Sequence, residues 1–183
     1  MSRPPLVGKK KNKHQNQVEL SFIIEQAAEA KEIAADAQRD LDQALPALDE
    51  AVASLKNLSK TDIVEVKSMR NPPEGVKLVM AATCIMFSLP PKMVADPNKV
   101  GKKIPDYLEQ SAKLLSDPSK FMDMLLTYDK DNIQDAIIAK IEPYIEKKEF
   151  TPDNVARVSK ACTSICMWAR AMYTYNQVWY CCC

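Results

Sequence analysis

The chain is poor in glycine, histidine and aromatic residues: 3 Gly, 1 His and 7% aromatics in 183 residues. Each shortage removes a class of function. Three scattered glycines (Gly8, Gly75 and Gly101) cannot build a phosphate cradle, and no GxxxxGK[ST] run occurs. A lone histidine, His14, excludes a His-based triad and a His-rich metal site. No stretch approaches the roughly 18 apolar residues of a membrane span. The amino terminus, "MSRPPLVGKKKNKHQNQ", lacks the apolar core of a secretory leader. An excess of one charge is missing too. With a formal net charge of +1, no global field points to nucleic acid, and any charge argument must be local. The six cysteines, without a leader, read as reduced thiols of a cytosolic compartment.

What remains is a helix-forming composition. Hydrophobic residues reach 46%, and Ala, Lys, Glu and Met outweigh the residues that sheets and hairpins need. The expected fold class is all-α. Residues 1–17 read as a disordered basic tail. Its Lys9, Lys10, Lys11 and Lys13 suit a solvated tail or a non-native remnant better than a nucleic-acid site or nuclear signal.

Residues 18–57 carry the clearest periodicity. Leu20, Ile23, Ala27, Ala30, Ala34, Ala37, Leu41, Ala44, Leu48, Ala51 and Leu55 step by three and four, a heptad seam that predicts a coiled-coil helix. The outer face is acidic, with nine acids between positions 18 and 55 against Lys31 and Arg39. Pro46 falls inside the pattern, and because the heptads run on past it, a kink is expected rather than an end.

Beyond residue 56 the face turns basic. Lys56, Lys60, Lys67 and Arg70 fall at spacings that place them on one side of a helix. Asn71, Pro72 and Pro73 then stop that helix. "VKLVMAATCIMFSL" (76–89) reads as a buried central helix, and "PPKMVADPNKVGKK" (90–103) as a loop. Shorter helices are expected over 106–116, 120–128 and 132–145. Thr151 and Pro152 should open a last helix that runs to the end, with Val155, Val158, Cys162, Ile165, Ala169 and Met172 as its seam. Residues 58–154 then form a small globular cap of short helices. They sit between an outgoing helix (18–57) and a returning one (155–183), which pair antiparallel as a two-helix coiled-coil stalk.

No catalytic constellation emerges, so the expectation is a binding module that needs no cofactor. Cys162 and Cys166 lie at i, i+4 without a second pair, which suits packing better than a metal site. The ending "WYCCC" raises lipidation of Cys181, Cys182 and Cys183, although it does not fit the C-a-a-X pattern. A helical interaction module with a non-tubulin partner, lipid-anchored or not, is the alternative function.

Three segments carry a family resemblance: "LPALDEAVASLKNLSKTDIVEVKSMRNPPEGVKLVMAATCIM" (45–86), "FMDMLLTYDKDNI" (121–133) and "FTPDNVARVSKACTSICMWARAM" (150–172). Together they resemble the stalk tip of a dynein heavy chain, over about residues 18–178. "KACTSICMWARAM" is more similar to the axonemal branch, since the cytoplasmic branch has a proline where this chain has Ser164. The resemblance implies a microtubule-binding domain on an antiparallel coiled coil, joined through its stalk to the rest of a heavy chain that carries the ATPase ring. It implies neither nucleic acid nor membrane as a partner, and a cytoskeletal, axonemal setting. It also implies tubulin contacts from Lys60 and Lys67, from Lys102 and Lys103, and from Arg157. Helical spacing adds Arg70 and Lys160 to that set. Pro46, Pro72 and Pro73 are the expected kink and register positions. "DPNKVGKK" and "DYLEQSAK" depart from the family's "DPSGSGKK" and "DYWGPAK", and the stretch before Val18 and the final cysteines match nothing in it.

Overall fold

A computed structural model describes residues 9–96, 99 and 101–182; side chains are described for residues 17–96, 99 and 101–179. Residues 1–8 of the expected tail and Cys183 lie outside the described residues, as do the side chains of Lys9, Lys10, Lys11, Lys13, His14, Cys181 and Cys182.

The fold is helical, with one two-stranded sheet among the described residues. Helix α1 (Lys9–Lys56) leads out and passes through Pro46 without interruption. It begins nine residues before the expected Val18, so residues 9–17 are helix rather than tail: the polar run Lys9 to Gln17 contains no helix breaker. The short α2 (Lys60–Ser68) follows, then α3 (Glu74–Met86). Strands β1 (Lys92–Ala95) and β2 (Lys103–Asp106) come next, followed by α4 (Leu108–Leu114) and α5 (Pro118–Leu126). A single 3₁₀ turn (Lys130–Asn132) leads to α6 (Asp135–Ile145) and α7 (Pro152–Ala156), and α8 (Lys160–Cys182) returns.

Helix α3 is the axis of the cap. Ten of its residues are buried, and α4, α6, α7 and α8 all pack on it. Its end is a Schellman turn: Ser88 N–H bonds Ile85 O at 2.9 Å and Leu89 N–H bonds Cys84 O at 2.9 Å, with Ser88 left-handed at φ 55. Phe87, Tyr128 and Trp168 then close an aromatic cluster, Phe87 stacked on Trp168 and Tyr128 edge-on to both. Asp117 caps α5 by accepting from Ser119 N–H and Lys120 N–H.

Helices α1 and α8 pair antiparallel, but only part of the seam is covered. Ala44, Leu48, Ala51 and Leu55 are buried and Ala37 and Leu41 partly so, whereas Leu20 is 58% and Ile23 60% exposed. The pairing places Ser54 against Ser164. Eighteen residues on from Ser164 is Cys182, the end of α8, and eighteen back from Ser54 is Asp36. Upstream of about that level no described helix faces α1.

Three segments differ from the sequence reading. Residues 90–103 are not a plain loop: Val94 and Ile104 pair across a hairpin and both are half-buried, while Gly101, at φ 83, supplies the left-handed residue of its turn. The basic helix does not run continuously from Lys56, because Ser59 caps a new helix. Its hydroxyl accepts from Asp62 N–H at 3.2 Å, and its own N–H donates to Asp62 Oδ2 at 2.8 Å. The last helix is also split. Thr151 opens α7 without a side-chain cap, donating instead to Lys148 O, and α8 starts afresh at Ser159, whose Oγ accepts from Cys162 N–H. Val158, in that break, is 36% exposed rather than in the seam.

Candidate functional site

The expected basic residues sit on four pieces of the cap. Lys60 and Lys67 lie at the two ends of α2, both exposed, on a helix that buries Ile63 and Val66. That nine-residue helix is short because the capping box starts it and Pro72 and Pro73 prevent its continuation. Arg70 lies just past the C-cap residue Met69, exposed. Buried Pro72 packs beside Val66 and Val76, and Pro73 is the N-cap of α3. Arg157 is the C-cap residue of α7, and Lys160 is the first residue of α8. Lys102 lies in the hairpin turn and Lys103 starts β2 opposite Ala95.

Packing brings two of these groups together. Helix α2 packs on α8, and Lys160 is close enough to Asp62 to help hold its carboxyl below the usual range, after the hydrogen bonds from Ser59 that are the main cause. Lys60, Asp62 and Lys160 therefore share one corner. Lys67 borders a notch between α2, α3 and α4, with Lys77, Leu108 and Ala112 across it. Arg157 borders a separate cleft with Lys148, Asn154 and Gly75. The hairpin lysines stand apart from α2, but the cleft under the hairpin shares Lys77, Leu108 and Ser111 with the notch beside Lys67, so the two surfaces are neighbours.

Sequence reasoning passed over Lys77 and Lys148, which border these clefts. Lys77 was visible as the one charge in an apolar run, and Lys148 as half of a lysine pair before Phe150.

The three cysteines whose side chains are described are packing residues. Cys84, Cys162 and Cys166 are free and fully buried, and burial pushes their thiols up to about 11, 11 and 12. Among the described residues no group of three or more His, Cys, Asp or Glu side chains is arranged to hold a metal, and no helix is long and apolar enough to cross a membrane.

The two halves of the stalk are held differently. Helix α8 is tied to the cap by polar bonds: Arg170 Nη1 to Ile145 O and Phe150 O, Tyr173 to Glu142, and Tyr175 to Asp131. Helix α1 has one such tie among the described residues, the Ser54–Ser164 hydroxyl pair.

A helical cap with Lys60, Lys67, Arg70 and Lys160 exposed, carried on an antiparallel helix pair with Cys84, Cys162 and Cys166 sealed in the core, defines a stalk-borne binding module. Residues 7–183 match the family described as the microtubule-binding stalk of dynein motor, and the chain belongs to that family. Dynein axonemal heavy chain 1 of Homo sapiens is 54% identical over 154 residues, which is 84% of this chain and 4% of that protein. Dynein axonemal heavy chain 3 of Mus musculus is 45% identical over 153 residues, 83% of this chain and 4% of that protein. The chain thus spans a few per cent of the length of these relatives. A solved structure, the microtubule-binding domain of dynein-C, superposes with a TM-score of 0.65 at 40% identity, covering 78% of this chain and 90% of that one.

Proposed function

We propose that this chain docks on microtubules as the stalk tip of an axonemal dynein heavy chain, in a cilium or flagellum. The docking residues are Lys60, Lys67, Arg70, Lys102, Lys103, Arg157 and Lys160. The module itself catalyses nothing; ATP hydrolysis belongs to the motor ring elsewhere in the heavy chain. The observation that carries this reading is α2, a short helix with a break at each end, standing where the stalk meets the cap with Lys60 and Lys67 in solvent.

An acidic filament surface suits this arrangement. Each exposed pair contributes at most about 1 kcal/mol, so several must act together and binding must weaken with salt. The acidic outer face of α1 keeps the shaft off the same filament. Affinity is set by the register of α1 against α8. The seam repeats by threes and fours, so a slip of about half a heptad again opposes apolar residues to apolar residues. Two registers close in energy are then biased by binding at the tip. Pro46 leaves the Asp42 carbonyl without its helical donor and gives α1 a place to bend, while Pro72 and Pro73 uncouple α2 from α3. The direct test is co-sedimentation of the folded chain with stabilised microtubules. Pelleting at low salt that fades as salt rises supports the reading; a folded chain that stays in solution at every salt concentration refutes it.

A further inference from the structure

Across the buried part of the α1–α8 seam, one side-chain hydrogen bond joins the two helices among the described residues. Ser54 Oγ and Ser164 Oγ lie 2.6 Å apart, in a stretch otherwise lined by Ala51, Leu55, Ala161 and Ile165. Ser164 is only 4% exposed, and its side chain makes no other hydrogen bond among the described residues. Its hydroxyl is therefore satisfied by one partner on the opposing helix, and a buried hydroxyl that loses its partner is destabilising.

We propose that the Ser54–Ser164 pair is a register pin that favours the observed alignment of α1 on α8. This inference rests on the proposed link between stalk register and microtubule affinity, and assigns that link to two side chains. An apolar seam is tolerant of slips, because alanine opposite alanine looks much the same one half-heptad away. A hydroxyl pair is not. Moving α1 by about half a heptad takes Ser54 away and brings Glu50 and Ala51, or Asn57 and Leu58, opposite Ser164. Ala51 and Leu58 have nothing to offer a hydroxyl. Glu50 would have to leave solvent to reach it, and Asn57 lies beyond the end of α1. The asymmetry of attachment makes this contact matter. Arg170, Tyr173 and Tyr175 fix α8 to the cap, so α1 is the strand free to move, and the serine pair is the one side-chain hydrogen bond, among the described residues, that its movement breaks. A buried polar pair in a largely apolar coiled-coil seam is a well-attested way of choosing one alignment over another.

The test is a distance measurement on the whole chain. Spin labels carried on unnatural amino acids at Lys31 and Thr174, both exposed and well separated along the stalk, report a half-heptad slip as a change of about 5 Å. Ser54→Ala, Ser164→Ala and the double variant are compared with the parent, with circular dichroism to show that each remains folded. Either single variant is expected to shift the ratio of the two distance populations about five-fold, the loss of one net hydrogen bond, and the double variant no further. Microtubule affinity is expected to change by a comparable factor. An unchanged distance distribution in both single variants overturns the pin. A shifted distribution with unchanged affinity keeps the pin and overturns the register reading of the function.

Discussion

Arg170 on α8 donates from Nη1 to the carbonyl oxygen of Phe150 at 3.0 Å, and the same nitrogen donates to Ile145 O at 3.1 Å. The returning helix thus holds both sides of the 146–149 turn that leads into α7, and with it the position of Arg157. Arg170→Met should cost about 2–3 kcal/mol, because it removes charge-assisted bonds and strands carbonyls in a half-buried site. Arg170→Lys, with a single compact donor group, should cost less. Urea unfolding measures both; a change in Arg170→Met within about 0.5 kcal/mol would show that the turn holds itself.

Ser88 is a non-glycine residue in the left-handed region at φ 55, held there by the Schellman bonds that end α3. Glycine adopts this conformation without steric cost. Ser88→Gly should therefore raise stability by about 0.5–1 kcal/mol. A loss of stability in urea melts would mean that the serine side chain contributes something the turn geometry does not reveal.

How much of this was legible beforehand depended on whether the cause was local. The apolar run around Val79 and Ala82 could only be a central helix, and the heptad steps through Leu48 and Leu55 could only be a seam. The break before α2 was also written locally, in Ser59 and Asp62 three residues apart, but the spacing of Lys56 and Lys60 masked it. The hairpin was not legible, because its two strands have four residues each and pair only with one another, too short for an alternating pattern to stand out. The exposure of Leu20 and Ile23 depends on where a partner helix lies, which periodicity cannot state. The basic residues were readable one by one; that Lys60 and Lys160 share a corner follows from α2 packing on α8.

Tyr128 donates to Met86 O at 3.0 Å, and burial, helped by the charge of Asp129, pushes its phenol up to about 12 from an ordinary 10. The folded state holds the phenolic proton more tightly than the unfolded chain. Its contribution is fully present below pH 10 and is lost as pH rises from 10 to about 12. Tyr128→Phe should lower stability at pH 7 and flatten part of this alkaline decline, to which Tyr107, Tyr144, Tyr173, Tyr175, Lys130 and the buried thiols of Cys84, Cys162 and Cys166, all raised, also contribute. Melts between pH 8 and 12 check it; parallel curves for parent and variant would contradict it.

Trp168 is fully buried, and its indole Nε1 has no hydrogen-bond partner among the described residues. Trp168→Ala should cost about 3–5 kcal/mol through the cavity it opens between Phe87 and Tyr128. Trp168→Phe should cost far less than this, since it keeps the stacked ring and removes an unpaired donor. Equal losses for the two, measured by chemical denaturation, would show that the indole N–H is satisfied in solution.

The central claim is that the basic residues of α2 and the α7–α8 corner grip the filament. Lys60→Glu and Arg157→Glu, with Lys140→Glu at an exposed position of α6 as the control, should be compared in microtubule co-sedimentation at low salt after circular dichroism confirms that each is folded. The account predicts that the first two lose at least ten-fold in affinity, about 1.4 kcal/mol or more, while the control pellets like the parent. If Lys60→Glu and Arg157→Glu pellet as well as the parent, the docking surface lies elsewhere on the molecule.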